Sequence, residues 1–189
     1  MQRNTILGGA TAIGIALLTY AGRRFGPRSS AFAFMVVWVP MTWLGTVSRV
    51  AQPRLPASYH ELRAFERDGR VYERFGVKIV KQLLRRGPIA FFNPDLHLPA
   101  ERTPERLAHL EQRMKDAEAS HAMLFVGTLP VVLHAASRKW WKAAGVTLMF
   151  DVALNGYPVM LQRYNRAQLH HRFPTTPFGA EQVHIERTE

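Results

Sequence analysis

Hydrophobic residues gather into four blocks along the chain, separated by stretches that hold nearly all of its charge. Thr5 to Gly22 run without a charged residue until Arg23 and Arg24, and Ala31 to Val47 form a second run closed by Arg49. With their ends included, both approach the ~20 residues that a helix needs to cross a bilayer. The third and fourth blocks, Ala122 to Ala136 and Ala143 to Leu161, are separated by the basic and aromatic run Arg138, Lys139, Trp140, Trp141 and Lys142. Aromatic and basic residues concentrate in this way where a helix meets the headgroups. The pattern predicts spans at about 5–22, 31–48, 122–137 and 143–161.

The first block also fits a signal peptide with Arg3 as its charged start. The second block follows so closely that a retained anchor is the preferred reading. Pro40 interrupts the second block, as membrane helices tolerate when neighbours satisfy the freed carbonyl. After Pro53 and Pro56 the chain becomes charged and amphipathic as far as about Ser120. Within that stretch Val71, Phe75, Ile79 and Leu83 recur at helical spacing, which suits either an interfacial helix lying on the membrane or a packed helix of a small soluble subdomain. A clearer helix starts at Thr103. Thr103 can cap, Pro104 suits the first helical position and Glu105 favours the positive end of the dipole. Leu107, Leu110 and Met114 continue an apolar stripe that runs into the third block, with a kink expected at Pro130. That block is short for a span unless part of this helix is submerged or the segment is re-entrant. The sequence thus predicts an all-α integral membrane bundle of about four hydrophobic helices, with amphipathic interfacial helices between the second and third. It predicts a single domain over 1–169 and a loosely ordered tail over 170–189, where Pro174, Pro177 and Gly179 break any periodicity.

Composition alone hides this organisation, because 189 residues with 47% hydrophobic content and a mean hydropathy of -0.13 resemble an ordinary soluble protein. The absence of cysteine excludes disulfides, thiolate metal sites and cysteine nucleophiles. The net charge of +11 and pI near 10.8 suit either nucleic acid or an anionic membrane surface. Because the basic residues flank hydrophobic spans, the membrane reading is favoured and no nucleic-acid partner is expected. Lysines and arginines near the span ends slightly favour both termini and the long middle stretch on the cytoplasmic side.

Two pairs of polar residues are out of place. Glu118 and His121 fall within the stripe of Leu107, Leu110, Met114 and Phe125, three residues apart on one helical face. Ionisable groups where such a face enters a bilayer are candidates for function. In this spacing Glu118 can fix the tautomer of His121, which then acts as a general base. Alternatively the two satisfy each other or bind an arginine from a neighbouring helix. A Glu-x-x-His element also occurs in di-iron bundles, but there it appears twice. Only one copy is present, and His97 and His109 lack ligand spacing, so no metal site is expected. In the last block Asp151 and Asn155 share a face four residues apart, open to interhelical hydrogen bonding or to function.

The most specific string runs from Asn155 through Gly156, Tyr157 and Pro158 to Gln162-Arg163-Tyr164-Asn165-Arg166. Together with Gly69, Tyr72, Phe75, Lys78 and Lys81, and with Ala117, Glu118 and His121, it resembles the glycosyl-4,4'-diaponeurosporenoate acyltransferase family, which esterifies a carotenoid-linked sugar with a fatty acid. The resemblance covers roughly Arg49 to Leu169. It departs at Asp116, where the family tends to have arginine, at Val80 and Lys81, which replace a Trp-Lys pair, and at the proline after Asn155, shifted by one residue. Asp151 belongs to no part of the motif.

The resemblance implies a multi-pass protein of the cell membrane that esterifies a hydroxyl of a glycosylated lipid. The acyl group would come from acyl-CoA or another acyl thioester as co-substrate, with no further cofactor. It implies His121 as the base and Glu118 as its partner. Arg163 and Arg166 would bind donor phosphates or the developing oxyanion. Asn155, Gln162 and Asn165 would hold sugar hydroxyls or the carbonyl, Tyr164 would stack on the sugar or line the acyl groove, and Lys78 and Lys81 would complete the substrate site. The alternative is a non-catalytic membrane subunit or lipid-binding scaffold whose polar groups hold helices together. The oligomeric state is not legible.

Overall fold

The computed structural model of the protein describes residues 2–48, 54–86 and 102–174. The expected end of the second span at Arg49, together with Pro53, His97 and the tail from residue 175, lies outside the described residues. Among the described residues the architecture is all-α with no strand, and four helical stretches are long and apolar enough to cross a membrane. Two compact units can be described, one drawn from residues 1–54 and 119–158, the other from 55–118 and 159–189.

The first unit begins with α1 (Gln2–Phe25), whose last turn carries Arg23 and Arg24 against the negative end of its dipole. Gly26, at φ 78, closes it, a left-handed conformation that glycine adopts without strain. Ser29 then caps α2 (Ser30–Val47) by accepting the Phe32 N–H at 3.1 Å. Pro40 sits inside α2 as expected. Val36, Val37 and Leu44 of α2 are buried, and the Trp43 indole donates to the Thr11 hydroxyl of α1 at 3.0 Å. Ile13 and Ile15 of α1, by contrast, are 63% and 62% exposed, an outward apolar face that suits lipid.

The helix α6 (Pro104–Ser137) begins where the sequence placed it, with Thr103 Oγ1 facing the Arg106 N–H at 3.4 Å. It continues unbroken through the third apolar block and past Pro130, so that block is part of a 34-residue helix rather than a short span. It ends at Lys139, whose φ of 59 lets Lys139 N–H reach the Ala136 carbonyl and Trp140 N–H reach that of Ala135. This double bond pattern satisfies carbonyls that the helix end leaves open. Arg28 stacks over the Trp140 ring at 4.7 Å, so the turn after α1 and the turn after α6 share one end of this unit. After α7 (Trp141–Asp151) the helix widens into a π-type segment, Val152–Gly156, and resumes as α8 (Tyr157–Arg172). Pro158 explains the widening: it has no N–H for the Leu154 carbonyl four residues back, and its ring crowds that carbonyl. Tyr157 N–H bonds the Val152 carbonyl, five residues back, instead. The ring of Phe34 packs edge-on against Phe150 at 5.3 Å, joining α2 to α7.

In the second unit the expected amphipathic run is not one helix. It comprises α4 (Arg70–Glu73) and α5 (Val77–Arg86), preceded in the chain by α3 (Ala57–His60) and a 3-10 turn at Ala64–Glu66. Gly76, at φ 74, breaks the run and Gly69, at φ 73, precedes it; an apolar spacing of four cannot reveal such a break. Val77 is fully buried while Phe75, Ile79 and Leu83 are more than half exposed, leaving an apolar stripe outward. The core of this unit is Leu107, Leu110 and Met114 of α6 with Leu169 of α8, and Phe173 packs on it. α8 therefore continues to Arg172, beyond the boundary expected at 169.

Candidate functional site

Buried charge in the second unit converges on the two arginines of the Gln162–Arg166 string. Helical spacing places Arg163 and Arg166 on adjacent turns of α8, and both reach Glu118, which is fully buried. Arg163 Nη1 donates to Glu118 Oε1 at 2.7 Å, and Arg166 Nη1 donates to Oε2 at 2.8 Å. Arg163 is then used up. Its Nε and Nη2 grip Glu66 at 2.8 and 2.7 Å, while Nη1 and Nη2 also donate to the carbonyls of Tyr59 and Glu61. Arg166 donates to the His60 carbonyl and lies 3.6 Å from Glu111, which also holds Lys115 at 3.1 Å and the His170 ring at 3.0 Å. Two guanidinium forks thus tie the 59–66 segment and α6 to α8.

The protonation of this cluster follows from its surroundings. Burial acts to raise the pKa of Glu66, but hydrogen bonds from Arg163, Tyr72 and the Arg63 N–H outweigh it and hold the carboxyl below its ordinary range. Burial, and then the Glu66 carboxylate that its hydroxyl bonds, push the Tyr72 phenol up, so it remains a donor. Burial holds His60 below the usual histidine value despite the Glu118 carboxylate 3.7 Å away.

Tyr164, expected at a sugar or acyl groove, is buried. Its hydroxyl donates to Glu73 at 3.0 Å, its ring lies against Gly69, and the Lys81 ammonium sits 5.1 Å over it. Lys78 pairs with Glu73 at 3.4 Å. Gln162 is half-buried, whereas Asn165 is buried with neither amide atom hydrogen-bonded among the described residues. Glu66 escaped the sequence reading. The signal that could have found it is charge balance, since two arginines entering an apolar region need more than one carboxylate.

In the first unit the residues that come together are His121, Asn155 and Asp151. Gly156 lets the widened turn approach α6, where a Cβ would meet the Phe125 ring at 3.4 Å, and His121 lies one turn before Phe125. His121 Nδ1 faces Asn155 Oδ1 at 3.1 Å, and Asn155 Nδ2 donates to Asp151 Oδ1 at 2.8 Å. Asp151 and Asn155 are fully buried, whereas His121 is partly exposed. The residue that orients His121 is thus Asn155. Glu118, expected in that part, spends its two oxygens on arginines, because two fixed cations outcompete a neutral imidazole for a buried carboxylate. Among the described residues no group of three or more His, Asp or Glu side chains is arranged to hold a metal.

A family model described as glycosyl-4,4'-diaponeurosporenoate acyltransferase matches residues 56–173. The chain belongs to this family. The match takes in every element of the second unit described above together with the His121–Asn155–Asp151 group. No curated protein and no solved structure matches the chain. As the family's name states an acyltransferase, both polar groups sit in a transferase sequence.

Proposed function

We propose that this member of the glycosyl-4,4'-diaponeurosporenoate acyltransferase family is a multi-pass enzyme of the cell membrane. It transfers a fatty acyl group from an acyl thioester such as acyl-CoA to a sugar hydroxyl of a glycosylated lipid, a carotenoid glycoside or similar glycolipid. The observation that carries the proposal is the state of His121. Asn155 presents a carbonyl oxygen to Nδ1, which therefore bears the proton, and Nε2 is left with its lone pair and no hydrogen-bond partner among the described residues. That is the form a general base needs.

Nε2 takes the proton of the acceptor hydroxyl as its oxygen attacks the thioester carbonyl carbon. The tetrahedral intermediate collapses with cleavage of the C–S bond, and the imidazolium returns the proton to the departing thiolate. The products are a sugar ester and a free thiol, and the histidine is regenerated. Donor and acceptor both have long apolar chains, so an active group on helices long enough to span a membrane gives both a common solvent. Gln162 and Asn165 belong to the second unit, and no part in this step is given to them. Arg163, Arg166, Tyr164 and Lys78 act by holding the second unit together, in keeping with their internal partners.

The alternative of a non-catalytic scaffold draws support from that same consumption of charged side chains. The two separate in proteoliposomes containing the purified protein, a glycolipid acceptor and acyl-CoA, with free thiol release followed over time. His121→Gln is expected to lower release by about a hundredfold or more at equal protein content. Equal rates with and without the imidazole would remove the base, and no release from the unaltered protein would favour the scaffold.

A further inference from the structure

Asp151 belongs to none of the motif elements and touches nothing that reacts, yet it is fully buried in an apolar helix, with Asn155 and Thr128 as the side chains acting on its carboxyl. Placing a carboxyl group there costs free energy that hydrogen bonds to a neutral amide and a hydroxyl hardly offset. Its effect lies instead in what it does to Asn155. An asparagine amide can turn either end toward a neighbour, and only the network decides which. Asp151 Oδ1 accepts at 2.8 Å, so the NH2 end of Asn155 must face it, and the carbonyl end must face His121 at 3.1 Å. The imidazole then has to carry its hydrogen on Nδ1. Were the amide reversed, its NH2 would confront Nδ1, the hydrogen would move to Nε2, and the base would be lost.

We propose that Asp151 is a positioning residue that selects the tautomer of His121 through the Asn155 amide. This rests on the reading of His121 as the base. The relation needs only that Oδ1 be an acceptor, which holds whether the carboxyl is ionised or carries its proton on Oδ2. The widened turn at Val152–Gly156 belongs to the device. It separates Asp151 from Asn155 by a turn of non-standard pitch, and Pro158 maintains it.

The test uses 15N-histidine-labelled full-length protein in bilayers, in which ring-nitrogen shifts report the tautomer, with His121→Gln assigning the resonance. The unaltered protein is expected to show His121 protonated on Nδ1. Asp151→Leu, branched at the same carbon but without an acceptor, is expected to shift His121 toward the Nε2–H form and to lower acyl transfer by at least about tenfold, part of the contribution of a general base. Asp151→Asn keeps an acceptor oxygen and is expected to preserve both. The double variant Asp151→Leu with Asn155→Asp places a carboxylate directly against Nδ1, and is expected to restore the Nδ1–H form and the rate. A merely structural Asp151 would not be rescued by a change at residue 155. An unchanged tautomer in Asp151→Leu overturns the proposal whatever the activity. A shifted tautomer with unchanged transfer leaves the positioning intact and removes His121 as the base.

Discussion

At the scale of single residues, Arg163 shows why a motif is not the same as a binding site. The sequence offers two arginines near the end of an apolar block, and a ligand phosphate is the attractive partner for such a pair. In the structure the Arg163 guanidinium meets two carboxylates and two carbonyls within the chain. Arg163→Ala strands Glu66 without a cation and leaves Glu118 with Arg166 alone, and is expected to cost about 3–5 kcal/mol, read as a lower unfolding midpoint in detergent. Molecules still folded at low temperature are expected to keep their KM for the acyl donor, whereas a donor-binding role would raise that KM and leave the midpoint alone. His121 was legible as an out-of-place imidazole, and its spacing to Glu118 was legible too. An arginine from a neighbouring helix was among the alternatives, and Glu118 does bind Arg163 and Arg166; Asn155 beside His121 was not legible, because helical periodicity reports which face a residue occupies and says nothing of what another helix brings against it.

At the scale of elements, helix starts and stops were easier to read than breaks. Thr103, Pro104 and Glu105 announce α6, since capping and dipole preferences are local. The interruption of the 71–83 run depends on the left-handed backbone at Gly76, and an apolar stripe conceals it. Gly69 is also closely approached: a Cβ there would stand 3.0 Å from the Tyr164 ring and 3.1 Å from the Gln168 amide. Gly69→Ala is expected to destabilise by about 1–2 kcal/mol through its backbone alone, with the contact adding to that, whereas Gly76→Ala, with nothing within 4 Å, should carry the backbone cost only. Comparing the two unfolding midpoints checks this. The 59–73 segment should also be acid-labile. The depressed pKa of Glu66 contributes stability that is present above the ordinary glutamate range and lost as pH falls through its lower folded value. His60, neutral when folded, begins to oppose folding at higher pH, as the solution falls below the ordinary histidine range. Thermal unfolding followed from pH 8 to 4 should therefore decline in two stages, and Glu66→Gln should lower stability near neutrality while removing the later stage.

At the scale of the whole molecule, the all-helical class and the four membrane-length stretches were legible because burying polar backbone in lipid leaves helices few alternatives. The course of α6 from Thr103 into the third block was legible as well, whereas the end of α8 was not, since it carries helical structure to Arg172 in charged sequence beyond the last apolar block. The chain's membership of an acyltransferase family and the contact between His121 Nδ1 and Asn155 Oδ1 lead to one direct measurement. Lipids would be extracted from cells that supply a glycosylated isoprenoid and express either the unaltered protein or His121→Gln at matched membrane levels, and examined by mass spectrometry. An ester heavier than the glycolipid by one fatty acid less water is expected with the unaltered protein and not with the variant. The same ester at the same level from His121→Gln, or no ester from either, would contradict a histidine-based acyl transfer.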